Sequence, residues 1–401
     1  MKTEILKVED PVKDIEAIKK AVECVDSGGL VVFPTETVYG IACKVDKKSL
    51  ARLDKVKKRE ADKRYTLHIG DKNILQEFVP SLTLPERKLV KNSWPGPLTI
   101  VFQVDKKDIR QLKNKLGAET VELLYEKDNT IGIRCPDKPI ASQLLNLCKF
   151  PVVAPSANIS SGRPATNAEQ ANEQLNGLVD IILDAGSCKY KKSSTVVKIL
   201  PPALAFAGKR QGWEVLRVGA YSEKQIRKML TVNILFVCTG NTCRSPMAEG
   251  LAKKAIAEKL GCGVNPAPSH SIPQNKFERC GVDQLAQMGY KVVSAGVSAI
   301  NGVGASAEAI RFCESKGVDI SSHKSRRITP EMLNEADYIF AMSAGHKNDI
   351  MRLCPKAEKK CMLLSDNGDI NDPIGGDFEA YKICGETIEK AVNKRISELL
   401  K

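Results

Sequence analysis

Residues 238 to 245 read Cys-Thr-Gly-Asn-Thr-Cys-Arg-Ser, a cysteine and an arginine with five residues between them, with an apolar run before them and Pro246 at the head of a helix-forming stretch after them. A short loop between a strand and a helix can turn its backbone N–H groups inward around an oxyanion, and the helix adds the positive end of its dipole. Arg244 would grip two oxygens of that anion at once. The same positive surroundings should ionise Cys238, making it a nucleophile at neutral pH, with the Ser245 hydroxyl pointed at its sulfur. Phosphoryl transfer to sulfur also needs a proton for the departing group, and Asp372 of Asn371-Asp372-Pro373 is the candidate acid. An isolated Asn-Asp-Pro is usually a turn. Its pairing with the cysteine–arginine loop favours the catalytic reading.

The first half carries a different set. A cationic run, Lys57-Lys58-Arg59 then Lys63-Arg64, precedes an apparent strand, Tyr65 to Ile69. Taken alone it reads as a solvated helix face. Four further segments stand beside it: Pro34 to Gly40 (PTETVYG), Trp94 to Thr99 (WPGPLT), Ile131 to Pro136 (IGIRCP) and Ala154 to Asn158 (APSAN). Neither a G-x-x-x-x-G-K-[ST] nor a G-x-G-x-x-G nucleotide loop is present, and the half has a single histidine, His68.

The elements that must position these residues alternate. In the first half, Ile15, Ile18, Val22 and Val25 recur at helical spacing, and Gly28-Gly29 supplies the permissive backbone to end that helix before the strand Leu30 to Phe33. Strand-like runs recur at 98–101, 131–134, 152–154, 181–183 and 195–199, which predicts an α/β domain with a mixed sheet. After Leu216 to Gly219 the chain turns polar and helical, and a fresh strand begins at Asn233. The expected domains are therefore 1–222 and 232–401, joined by a linker at 223–231. In the second half the runs NILFV, KVVSA, YIFAM and CMLL alternate with helical segments, which predicts a doubly wound parallel sheet. Gly261 to Tyr290, with three prolines, reads as a long surface excursion.

Composition fits this picture. A chain of 401 residues is about two to three times a typical domain of ~150, and 42% apolar with 27% charged residues is ordinary for a soluble globular protein. No run of apolar residues approaches a membrane span, and the amino terminus is too acidic for a secretory signal, so the expected location is the cytoplasm, away from membranes. The 13 cysteines form no C-x-x-C pair, which indicates neither a zinc ribbon nor a disulfide framework. A net charge of +13 suits a polyanion or active sites built for phosphate.

Residues 233–401 resemble the low-molecular-weight protein-tyrosine phosphatase family through CTGNTCRSPMAEG, SAGVSA, SSHKSRRI and DPIGGDFEAY. The resemblance implies a phosphate loop of Thr239, Gly240, Asn241, Thr242, Cys243 and Ser245 around catalytic Cys238 and Arg244. It also implies a cysteinyl-phosphate intermediate, Asp372 protonating the leaving atom and then activating water, and no metal or other cofactor. In such proteins the Cys243 position can form a protective disulfide with the nucleophile. Tyrosine-specific members usually carry a branched aliphatic residue where this chain has Thr242, whereas arginine-phosphate phosphatases have threonine. A hydroxyl tolerates a guanidinium and an aliphatic wall suits a ring. Ile374-Gly375 after Asp372-Pro373 also lacks the aromatic residues that help hold phosphotyrosine. Phosphoarginine is favoured, with phosphotyrosine and arsenate reduction as alternatives; the latter needs relay cysteines, of which only Cys313 stands in the relevant region. A phosphate-binding domain without turnover is a further alternative.

Residues 10–220 resemble the YrdC-like threonylcarbamoyl-AMP synthase family through the four segments above, in that order. This implies an α/β fold around a basic cavity in which L-threonine, bicarbonate and ATP, the last with Mg2+, give threonylcarbamoyl-AMP and pyrophosphate. The product feeds t6A modification of tRNA, so the implied partners are t6A-forming transferase proteins and tRNA, beside phosphorylated protein side chains for the second half. Matching positions assign Arg59 and Lys63 to the triphosphate. They assign Thr35, His68, Arg134, Ala154 and Ser194 to threonine, and Thr130, Ser156, Asn158 and Arg217 to the nucleotide. Two departures stand out: Arg64 replaces a common proline, and Ser161 lengthens the loop after Asn158. His68 read without the resemblance is a packed strand histidine, and the rival reading of the whole half is a non-catalytic RNA-binding module.

Overall fold

The computed structural model describes residues 2–58, 64–160, 162–200, 212–260 and 285–400. Arg59, Lys63, Ser161 and most of the Gly261 to Tyr290 excursion lie outside these. The chain divides into two compact units, the first running essentially to Met229 and the second from Leu230. The segment expected as a linker contains a helix, Glu223–Leu230.

In the first unit the described strands are β1 (Glu4–Lys7), β2 (Val31–Phe33), β3 (Gly40–Lys44), β4 (Leu67–His68), β5 (Leu98–Gln103), β6 (Thr130–Arg134), β7 (Val152–Val153), β8 (Ile181–Asp184), β9 (Thr195–Ile199) and β10 (Trp213–Arg217). They lie in the order β1-β8-β2-β3-β7-β4-β6-β5-β9-β10. Parallel pairs such as β4/β6 and β5/β9 alternate with antiparallel ones such as β5/β6, which is the expected mixed sheet. Helix Ile15–Asp26 buries Ile18, Ala21, Val22 and Val25, residues at the i, i+3, i+4, i+7 spacing of one helical face. They pack with Ile140, Ala141 and Leu144 of helix Pro139–Leu147 against Val31, Phe33 and Leu183 of the sheet. Gly28, at φ 88°, takes the left-handed turn that redirects the chain from the first helix into β2.

The second unit is built on β11 (Val232–Cys238), β12 (Tyr290–Gly296), β13 (Tyr338–Ala341) and β14 (Cys361–Leu363), all parallel in the order β12-β11-β13-β14. Alternate residues of β11 point to opposite faces. Phe236 stacks on Phe340 at 5.5 Å and joins the core under helices Arg244–Lys259, Ala307–Ser315 and Phe378–Leu399. Leu235 and Val237 join the core under helices Pro330–Glu335 and Ala344–Leu353. Helices on both faces explain why the strands read as continuous apolar runs. Cys238 is thus the last residue of a central strand, where such folds bind their ligands.

Candidate active sites

Three adjacent strands gather the first set of residues. Register pairs His68 of β4 with Arg134 of β6, and Arg134 with Thr99 of β5, in one row across the sheet. Thr99 Oγ1 lies 3.0 Å from Ser194 Oγ, just ahead of β9. Arg217, at the end of β10, donates from Nε and Nη2 to the Ser194 carbonyl at 3.1 and 2.9 Å, and from Nη2 to the Ser194 hydroxyl at 3.0 Å. Arg134 is 5% exposed. Its Nη2 donates to Glu36 Oε1 at 2.9 Å, Thr37 Oγ1 at 2.7 Å and Thr35 Oγ1 at 3.4 Å. In this structure the arginine therefore orders the Pro34 to Gly40 turn.

Glu36, absent from the sequence-based set, is the buried counter-charge of Arg134, and its Oε2 and Arg134 Nε are both buried without a hydrogen-bond partner. His68 places Nδ1 at 3.1 Å from the Thr66 carbonyl. Burial and then the Arg134 charge push its pKa down to about 3, so it is a neutral imidazole. Ala154 donates its backbone N–H to the same Thr66 carbonyl at 3.2 Å.

Ser156 and Asn158 follow β7 in a loop clamped by a lysine. Lys57, 6% exposed, donates from Nζ to the carbonyls of Ser156 and Asn158 at 2.8 and 2.6 Å, and to Asn158 Oδ1 at 3.2 Å. The solvated-face reading of the cationic run therefore fails at Lys57, because a buried ammonium needs several acceptors and this loop supplies them. Thr130 stands apart. Its hydroxyl donates to Asp128 Oδ1 at 2.6 Å, and it sits four residues from Arg134 along β6, about 13 Å of strand.

In the second unit, Cys238 ends β11, the loop turns through Asn241 at φ 56°, and helix Arg244–Lys259 begins at once. Asparagine tolerates that left-handed conformation because its side chain can be tied down locally. Asn241 Nδ2 donates to Ser245 Oγ and Ser294 Oγ, both at 2.9 Å, and its Oδ1 accepts from Arg326 N at 2.9 Å. His323 Nε2 lies 2.8 Å from the Asn241 carbonyl. Gly296 of β12 packs against this turn so closely that a Cβ there would sit 2.4 Å from the Thr239 carbonyl.

Cys238 is 2% exposed, with Ser245 Oγ at 2.9 Å and the Asn241 N–H donating to its sulfur at 3.2 Å. Burial pushes its thiol above the ordinary value, while Ser245, the Asn241 amide and Arg244 pull the other way. The expected ionised thiol is therefore not the form this arrangement favours. The reason is burial: desolvation of the sulfur outweighs the three groups that favour its charged form. The Arg244 Nη2 is itself ion-paired with Asp372. Arg244 also donates from Nη1 to the Ile370 carbonyl at 2.9 Å and from Nη2 to Thr239 Oγ1 at 3.4 Å. Asp372 is about one-third exposed, and its Oδ1 accepts from Ile374 N at 3.3 Å.

Thr242 is half-buried, its carbonyl accepting from Ser306 N at 2.9 Å, and Gly240 lies in the open part of the loop. Cys243 is a free thiol, as is Cys238, and its sulfur meets Tyr381 Oη at 3.2 Å and Ser306 Oγ at 3.4 Å. Burial and this contact push the Tyr381 hydroxyl up to about 12, so it stays protonated. Tyr381, Ser294, Ser306 and His323 were missed as site residues, because their contacts with the loop span 53 to 138 residues of sequence.

Among the described residues no group of three or more His, Cys, Asp or Glu is placed to hold a metal ion, and no helix is long and apolar enough to cross a membrane.

Comparison with known proteins supplies the affiliation. The Sua5/YciO/YrdC model, described as telomere recombination, matches residues 23–219. The low molecular weight phosphotyrosine protein phosphatase model matches 233–293 and 277–401. A threonylcarbamoyl-AMP synthase of Pyrococcus abyssi is 31% identical over 279 residues, 69% of this chain and 75% of the relative. A putative threonylcarbamoyl-AMP synthase of Methanocaldococcus jannaschii is 32% identical over 205 residues, 50% of this chain and 89% of the relative. A protein-arginine-phosphatase of Geobacillus stearothermophilus is 34% identical over 171 residues, 41% of this chain and 95% of the relative. With both folds and both constellations in place, the chain belongs to two families at once, Sua5/YciO/YrdC in its first half and low molecular weight phosphotyrosine protein phosphatase in its second, and is an enzyme in each.

Proposed function

We propose that the first unit condenses L-threonine, bicarbonate and ATP into threonylcarbamoyl-AMP and pyrophosphate. The threonine amine and bicarbonate form a carbamate with loss of water, and a carbamate oxygen attacks the α-phosphorus as the bond to pyrophosphate breaks. The observation that supports it is the row of His68, Arg134, Thr99 and Ser194, with the Thr35 turn tied to Arg134. Neutral His68 and the Thr35 and Ser194 hydroxyls suit a small polar amino acid, and Arg217 and the Ser156–Asn158 loop suit the nucleotide. Arg59 and Lys63 are assigned to the triphosphate by motif alone, and Thr130 is retained as a nucleotide residue on the same ground. Magnesium enters with ATP on its phosphate oxygens. The product's outlet is t6A formation on tRNA, in the cytoplasm. Pyrophosphate release by the full chain is expected only when threonine is added with bicarbonate and ATP. ATP turnover indifferent to threonine would leave RNA binding as the better account.

We further propose that the second unit is a cysteine-dependent phosphatase acting on phosphoarginine in proteins. As substrate enters, the Cys238 thiol gives its proton to Asp372, the sulfur attacks phosphorus, the bond to the leaving nitrogen breaks, and Asp372 passes that proton to the nitrogen. Water then attacks the cysteinyl phosphate, the S–P bond breaks to free Cys238 and inorganic phosphate, and Asp372 takes the proton of the water. Arg244 must turn from Asp372 to the phosphoryl oxygens for this to proceed. Thr242 supports phosphoarginine because its hydroxyl can face a guanidinium. On phosphoarginine and phosphotyrosine peptides the wild type is expected to prefer the former by about tenfold or more, the discrimination a polar wall supplies. Thr242→Ile is expected to narrow or invert that ratio. A wild type that prefers phosphotyrosine sinks the specificity reading while leaving the chemistry intact.

A further inference from the structure

Behind the phosphate loop stands a polar chain that the reaction as written does not use. His346 lies in the first turn of helix Ala344–Leu353 and is 6% exposed. Its Nδ1 is 2.8 Å from the Ser343 hydroxyl, and its Nε2 is 2.8 Å from the hydroxyl of Thr239, the residue next to the nucleophile. Ser343 also caps the helix by accepting the His346 backbone N–H at 3.3 Å. On the other side, Thr239 Oγ1 accepts from Arg244 Nη2, whose second partner is Asp372.

The proton inventory of that chain is satisfied when it runs from Thr239 through His346 to Ser343. A threonine hydroxyl has a single proton and two lone pairs. With one lone pair taken by Arg244, the Thr239 proton can be donated to Nε2 of a neutral imidazole. The imidazole proton then resides on Nδ1 and is donated to Ser343. Burial, followed by the Arg244 charge, lowers the His346 pKa, in keeping with a neutral ring.

The arrangement matters because Asp372 cannot stay on Arg244 and also protonate the leaving group. Once it departs, the guanidinium keeps two holds. One is the Ile370 carbonyl, two residues from Asp372 in the same loop; the other is Thr239. Only the second is independent of the acid loop. We propose that His346 is a positioning residue for phosphoryl transfer, turning the Thr239 oxygen toward Arg244 so that the guanidinium stays aimed at the loop when Asp372 lets go. This rests on the phosphatase reading of the site.

The test uses the full chain, with competitive inhibition by inorganic phosphate measured beside kcat and KM. His346→Ala and Thr239→Val are each expected to weaken phosphate binding about fivefold, the effect of losing one supporting hydrogen bond. The double variant is expected to be no weaker than the worse single one, because both changes break the same chain. His346→Gln, which keeps an acceptor, is expected to recover part of the loss. Effects that multiply in the double variant, or an unmoved phosphate constant in Thr239→Val, overturn the proposal. Should His346→Ala fail to fold, Thr239→Val and His346→Gln decide it, since neither empties the helix–loop contact. A wild type with no phosphatase turnover would instead sink the parent reading.

Discussion

Cys238→Ser is expected to lower dephosphorylation of both phosphoarginine and phosphotyrosine peptides by about 10^4-fold or more, the scale on which loss of an activated nucleophile is felt. Ser245 and the Asn241 amide converge on that sulfur, and an alcohol in its place ionises far less readily. Serine is smaller and nearly isosteric, so the surrounding turn should persist. Threonine-dependent pyrophosphate release by the same variant is expected to be unchanged, because Cys238 belongs to the second compact unit and the synthase residues to the first. Loss of both activities would contradict independent chemistry in the two units.

Arg134→Ala is expected to be the most damaging single change in the first unit. It leaves Glu36 buried without its counter-charge and removes the donors that hold Thr35 and Thr37. Breaking a buried pair in this way costs about 3–5 kcal/mol, against a total of roughly 5–15 kcal/mol for an ordinary domain. Both tryptophans of the chain, Trp94 and Trp213, lie in this unit. The midpoint of denaturant unfolding followed by tryptophan fluorescence should therefore fall, and threonine-dependent pyrophosphate release should disappear. An unmoved midpoint would show that the pair carries no stability. Glu36→Gln, which removes the charge but keeps the shape, should be disruptive as well, since it strands Arg134.

The phosphate loop was legible because all of its chemistry sits within eight consecutive residues, from Cys238 to Ser245, at a junction marked by an apolar run and a proline. The strands of the second unit were legible for a related reason: buried on both faces, they read as unbroken apolar runs. What escaped the sequence were pairings across long stretches of chain. Lys57 looks like one more surface cation until its acceptors, 99 and 101 residues away, are known. Glu36 meets Arg134 across 98 residues, and His346 meets Thr239 across 107. The ionisation of Cys238 was misjudged because spacing shows that Arg244 is near the sulfur, not that the sulfur is buried; nor does it show that Asp372 pairs with the same guanidinium.

That last pairing has a consequence for what the loop will admit. An entering anion competes with a carboxylate that belongs to the protein, so a singly charged visitor such as chloride or acetate gains little by the exchange. A doubly charged phosphoryl group gains more, since it offers the guanidinium and the inward amides a stronger partner than the one displaced. Asp372, the proposed proton donor, would thereby also act as a doorkeeper, screening by valence before any leaving group is inspected.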